Sequence, residues 1–141
     1  NEKDANKENI LDSEETKKVP KRVLVVEDIQ SNFFLVSSIL KNKCQLLHAP
    51  NGLEAVEIVR TQPVDLVLMD MKMPVMDGLQ ATSAIRNLNK PGAHSIPIIA
   101  MTANAFDEDR KKALEYGMDG FLSKPIVIEE LISTLHNNLL D

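Results

Sequence analysis

In Leu66-Val67-Leu68-Met69-Asp70-Met71-Lys72-Met73-Pro74, four consecutive apolar residues run straight into an aspartate. Unbroken apolarity, rather than alternation, marks a strand covered on both faces, as in parallel sheets sandwiched between helices. Asp70 then stands at the carboxyl end of a strand, where open parallel sheets gather their ligands. Upstream, Val23-Leu24-Val25-Val26 repeats the pattern and ends in Glu27-Asp28; downstream, Ile96-Pro97-Ile98-Ile99-Ala100-Met101 repeats it and ends in Thr102. Cys44-Gln45-Leu46-Leu47-His48 is broken by polar residues and Gly120-Phe121-Leu122-Ser123 is short, so these two runs suit the edges of the sheet.

The segments between the runs have helical spacing. Ile29, Phe33, Val36 and Leu40 share one face, as do Ile128, Leu131, Ile132, Leu135 and Leu139. Asn51 with Glu54, and Asp77 with Gln80, are N-cap pairs that start helices near Gly52 and Gly78. Between Asn104 and Gly117 the apolar stripe is thin, limited to Phe106, Ala113 and Leu114, which predicts the most exposed helix. Strands alternating with crossover helices make an α/β domain. Right-handed crossovers give a doubly wound (βα)5 fold, and the flavodoxin-like strand order 2-1-3-4-5 puts the two polar or short strands at the edges.

Residues 1–19 are rich in Asn, Glu, Lys and Asp and lack periodicity, so they are assigned to a polar linker or disordered tail and 20–141 to the folded domain. A chain that opens on Asn1 behind such a connector is expected to be a segment of a longer protein. The net charge of -5 opposes direct contact with nucleic acid. No apolar run approaches the roughly 20 residues that span a bilayer, so membrane contact by this segment is not expected. The lone Cys44 permits no internal disulfide and has no zinc-ligand companions, which suits the cytoplasm, including the cytoplasmic part of a membrane-anchored protein.

Four strand ends deliver polar groups to one rim: Glu27-Asp28, Asp70, Thr102 and Ser123-Lys124-Pro125. Three carboxylates gathered there repel by roughly 4 kcal/mol per pair at 4 Å and an effective dielectric of 20. A hard divalent cation offsets this, and a partial carboxylate shell completed by carbonyl and water oxygens describes Mg2+. Asp28 and Asp70 are assigned as direct ligands and Glu27 as one acting through water. A carboxylate such as Asp70 can also attack phosphorus to give an aspartyl phosphate. Lys124 and the Thr102 hydroxyl can meet the charge that develops on phosphoryl oxygens.

Val25-Val26-Glu27-Asp28, Leu68 through Gly78, Ile98-Ile99-Ala100-Met101-Thr102-Ala103 and Phe121-Leu122-Ser123-Lys124-Pro125 together resemble the motifs of two-component receiver domains, in that family's order. The resemblance spans residues 21–140. It implies that Asp70 is the phosphoacceptor, served by a phosphohistidine on a histidine kinase or histidine phosphotransfer domain. It further implies that the Lys72 backbone carbonyl is a Mg2+ ligand, that Thr102 and Lys124 grip the phosphoryl group, and that Lys124-Pro125 is a candidate cis bond. Lys72 and Asn104 would tune phosphoryl lifetime. Thr102 and Phe121 would form a switch that alters the face built by the fourth helix, fifth strand and fifth helix, with a phosphorylation-dependent homodimer among the outcomes. Phenylalanine has no hydroxyl, so such a switch works through packing. The run PIIAMTANA with EYGMDGFLSKP is most similar to receivers attached to hybrid histidine kinases.

Two rival readings share these residues. A phosphorylation-independent interaction module would keep the fold without needing the acid pair, Asp70, Thr102 and Lys124. An aspartate-nucleophile phosphatase would carry a second aspartate two positions after the nucleophile, where Lys72 stands. His48, His94 and His136 have no metal-ligand spacing and are assigned packing or surface roles. Cys44 is read as a small buried residue, and Met69, Met71, Met73 and Met76 as packing around Asp70.

Overall fold

A computed structural model describes residues 20–103 and 107–140; the predicted tail, Asn104 and Phe106 lie outside the described residues. Five strands, β1 (Arg22–Val26), β2 (Gln45–Ala49), β3 (Leu66–Asp70), β4 (Ile98–Thr102) and β5 (Gly120–Ser123), pair in parallel in the order β2-β1-β3-β4-β5. Between them run α1 (Gln30–Leu40), α2 (Gly52–Thr61), α3 (Gly78–Arg86) and α4 (Asp107–Glu115); α5 (Ile128–Leu135) follows β5 and ends in a π-helical turn, His136–Leu140.

Every residue of β3 and β4 is buried, whereas β2 and β5 are only partly so. Alternate strand residues feed two cores. Leu24, Val26, Val67, Met69, Ile98 and Ala100 pack with Ala55 and Val59 of α2, Ala81 and Ile85 of α3 and Ala113 of α4. Val23, Val25, Leu66, Leu68, Ile99 and Met101 pack with Val36 and Leu40 of α1 and Leu131 and Leu135 of α5. The fourth strand starts two residues later than its apolar run, because Pro97 has no N–H for the ladder; its carbonyl instead accepts from Val67 N–H at 2.9 Å.

Both predicted caps form. Asn51 accepts the Glu54 N–H at 2.9 Å, and Asp77 and Gln80 make a reciprocal capping box. The predicted stripe of α1 needs one correction: Ile29 is 51% exposed. It is the N-cap, with extended backbone at φ -96° and ψ 117°, so its side chain is off the helical face that meets the sheet. Ile128, in the first turn of α5, and Leu114 of α4 are exposed as well. Of the α4 side chains described, Ala113 alone is buried, as the thin stripe implied.

Arg86 joins the end of α3 to the turn before β5, donating to Gly117 O at 2.7 and 3.0 Å, to Ala93 O at 3.1 Å and to Asp119 Oδ2 at 2.9 Å. At the opposite end, α3 begins close under the functional rim. A Cβ at Gly78 would lie 2.4 Å from the Asp70 carbonyl oxygen. Gly78→Ala is therefore expected to cost about 1–3 kcal/mol, the range for overpacking, read as a lower urea midpoint with an unchanged m-value.

Candidate functional site

The carboxyl ends of β1, β3, β4 and β5 open onto a cleft of about 150 Å3 lined by Asp28, Ile29, Asp70, Met71, Lys72, Thr102, Ala103 and Lys124. The chain folds this way locally because each of these strands is apolar along its body and turns polar at its carboxyl end, at Asp70, Thr102 and Ser123 inside β3, β4 and β5 and at Glu27 just after β1. Asp70 ends β3 and is 4% exposed; Glu27, just past β1, is 2% exposed; Thr102 ends β4 and is also buried. Lys124 follows β5, where its N–H donates to Thr102 O at 2.8 Å, and the Lys124-Pro125 bond is cis.

One cation holds two of the acids together. Lys124 Nζ lies 3.1 Å from Glu27 Oε1 and 3.2 Å from Asp70 Oδ1. The Lys72 N–H adds a 3.2 Å hydrogen bond to the same Asp70 oxygen. Ile29 N–H donates to Glu27 Oε2 at 3.3 Å. Asp28 differs from both: its Oδ1 is buried without a hydrogen-bond partner among the described residues. A buried carboxylate oxygen left unpaired is costly, so it points to a ligand.

Burial pushes the Asp70 carboxyl up to about 6 from 3.8, helped by the negative charge of Glu27 and opposed by Lys124 and the Lys72 N–H. For Lys124 burial alone would lower the pKa, but the carboxylates of Asp70 and Glu27 outweigh it and the net shift is upward. The ammonium is thus firmly charged at neutral pH.

Oxygens of Glu27, Asp28 and Asp70 can all lie within 4.8 Å of one another. All-oxygen donors at this spacing, with one oxygen unpartnered, fit a hard divalent cation. Among the described residues this is the acidic or histidine-cysteine group so arranged. The predicted residues Glu27, Asp28, Asp70, Lys72, Thr102 and Lys124 therefore meet at one rim. Phe121 does not line the cleft; it is half-buried on β5 against the α2–α4 core, with the Arg110 guanidinium 5.3 Å from its ring centroid. His48, assigned a packing or surface role from the sequence, has its ring stacked on Phe33 at 3.9 Å. It also sits 2.9 Å from the Glu27 carbonyl, a contact without any spacing signal because β2 and the β1 end meet only through the sheet.

The family model for the response regulator receiver domain matches residues 23–136. The chain belongs to that family. It is 39% identical over 112 residues to the sensor histidine kinase GacS of Pseudomonas protegens, covering 78% of this chain and 12% of GacS. It is 40% identical over 121 residues to hybrid signal transduction histidine kinase B of Dictyostelium discoideum, covering 79% and 6%. The chain thus spans a small fraction of the length of these relatives. Among solved structures, the receiver domain of a Pseudomonas aeruginosa sensor histidine kinase superposes with a TM-score of 0.78 at 34% identity, covering 85% of this chain and 98% of that one; it holds a magnesium ion in its active-site cleft. The co-crystal structure of the Saccharomyces cerevisiae histidine phosphotransfer protein Ypd1 and the receiver domain of Ssk1 contains a chain that matches with a TM-score of 0.76 at 32% identity, covering 89% and 97%. The receiver domain accordingly belongs to two-component phosphorelay signalling, and its relatives include receivers of hybrid histidine kinases. Among the described residues, no helix is long and apolar enough to cross a membrane.

Proposed function

We propose that Asp70 is the phosphoacceptor of this receiver and takes its phosphoryl group from a phosphohistidine on a histidine kinase or histidine phosphotransfer domain. The observation that carries this reading is the pairing of a buried strand-end carboxylate with Lys124 Nζ, 3.2 Å away, inside a cleft that also contains the Thr102 side chain. An oxygen of Asp70 attacks phosphorus as the phosphorus–nitrogen bond to imidazole breaks, and the electron pair leaves with the imidazole nitrogen. The transition state spreads negative charge over the phosphoryl oxygens, which Lys124 and Thr102 would meet. Asp28, Asp70 and the Lys72 carbonyl would hold Mg2+ directly, with Glu27 acting through water. When bound, Mg2+ supplies positive charge that screens the acids and the incoming phosphoryl group.

Lys124, itself paired with Glu27, keeps the buried Asp70 carboxylate oriented, and Ile29 and Met71 line the cleft beside it. Acquiring about -1.5 to -2 charges at Asp70 favours a shift of the Thr102 loop toward the phosphoryl group. Phe121, one strand away, would follow by repacking beneath Arg110, and the α4–β5–α5 face would change its partner.

The test is incubation with Mg2+ and a small acyl phosphate, followed by intact mass measurement. We expect a single-phosphoryl mass gain in the unsubstituted chain and none in Asp70→Asn. No gain, or an equal gain in Asp70→Asn, would overturn the reading; partner binding indifferent to Asp70→Asn would favour a phosphorylation-independent module.

A further inference from the structure

Glu27 is held at each of its polar atoms. Its N–H donates to Ala49 O at 3.0 Å, and its two carboxylate oxygens accept from Lys124 Nζ and from the Ile29 N–H. Its carbonyl oxygen lies 2.9 Å from His48 Nε2. A carbonyl can only accept, so His48 Nε2 carries the proton in this contact. The ring is aimed by two elements: β2, where His48 pairs with Val25, and α1, where Phe33 stacks on it at 3.9 Å with 15° between the planes.

The Glu27 carbonyl belongs to the peptide plane that leads into Asp28. Because that unit is rigid, any rotation of the carbonyl also carries the Asp28 N–H and Cα. Asp28 is the residue whose Oδ1 has no hydrogen-bond partner among the described residues and stands beside the other two carboxylates. Among the described residues, then, nothing bonded to that oxygen resists such a rotation.

We infer that His48 is a positioning residue for the acidic site: by donating to the Glu27 carbonyl, it holds the peptide plane from which Asp28 reaches the cation. This rests on the phosphoacceptor reading of the cleft. The loss of an outer partner of a metal ligand typically weakens metal binding by about 10–100-fold. Here the contact is to backbone rather than to the ligand's own side chain, which places the effect at the low end, roughly tenfold.

Two variants separate the donor from the ring. His48→Phe keeps an aromatic ring to stack on Phe33 but has no donor. His48→Gln places an amide nitrogen at the same bond distance from Cα as His Nε2 but has no ring. Mg2+ binding to the 1–141 chain is measured by isothermal titration calorimetry, beside the metal-free thermal midpoint of each variant. We expect His48→Phe to weaken Mg2+ binding roughly tenfold and His48→Gln to restore it to near the unsubstituted value, while His48→Gln has the lower thermal midpoint. Affinity and stability then rank the variants in opposite orders. Equal Mg2+ affinity in His48→Phe and the unsubstituted chain, or affinities that simply follow thermal stability, would overturn the inference and leave the phosphoacceptor reading intact. Absence of Mg2+ binding by the unsubstituted chain would overturn both. Should His48→Phe fail to fold, His48→Ala replaces it: weak binding beside a near-normal His48→Gln supports the role, and equal affinities remove it.

Discussion

Asp70→Asn is expected to make the metal-free domain more stable at neutral pH, by about 2–3 kcal/mol. The folded carboxyl titrates at about 6 against 3.8 ordinarily, so the native state keeps a proton that the unfolded chain has already released. At about 1.36 kcal/mol per pKa unit, the difference of 6 and 3.8 corresponds to about 3 kcal/mol. Because the folded pKa is the higher one, the unfolded state binds fewer protons inside this window, and stability falls as pH rises. The penalty from Asp70 in the unsubstituted metal-free chain should thus be absent below about pH 4, grow between about pH 4 and 6, and be nearly complete above that. Asp70→Asn should flatten this stretch of the profile. Denaturant melts at several pH values in a chelating buffer check the result; a profile for Asp70→Asn parallel to that of the unsubstituted chain would contradict it. Saturating Mg2+ should raise the midpoint of the unsubstituted chain at pH 7 more than that of Asp70→Asn, since ligand binding to the native state adds stability by mass action.

Lys124→Met is expected to have the second large effect. The substitution keeps an unbranched apolar stem and deletes the ammonium that lies near both Glu27 and Asp70. Two buried carboxylates then face one another without a counter-charge. Removing one partner of a buried pair costs about 3–5 kcal/mol, reduced here because Asp70 can take up a proton instead. We expect a loss of roughly 2–4 kcal/mol at pH 7, shrinking toward pH 5. Phosphoryl uptake should fall by about 100-fold or more, the scale for deleting one donor aimed at developing charge. Mg2+ affinity should move the other way, rising, because a resident cation no longer competes for the same acids. Unchanged or weaker Mg2+ binding in Lys124→Met would show that the ammonium does not oppose the metal.

The architecture was legible because strands covered on two faces must be apolar at successive positions. β1, β3 and β4 meet that requirement, and the mixed polarity of β2 and β5 identified the edges. Caps were legible for a similar reason: Asn51 and Asp77 act within three residues of themselves, so sequence spacing already contains the geometry. Positions at helix starts were not. Ile29 has the right spacing for the buried stripe of α1, yet its extended backbone takes it out of the helix and leaves it at the mouth of the cleft.

The sequence by itself determined which chemical groups would stand at one rim. The strands of a parallel sheet all point their carboxyl ends the same way, so Glu27, Asp28, Asp70, Thr102 and Lys124 had to share an edge once their runs were strands. Only the tertiary structure decided how they divide the work there. Lys124 turns to Glu27 and Asp70, while Asp28 is left with an oxygen that no described neighbour satisfies. His48 reaches the Glu27 carbonyl from a strand 21 residues on. Such pairings depend on crossovers, sheet register and burial, which bring together side chains that no local spacing relates.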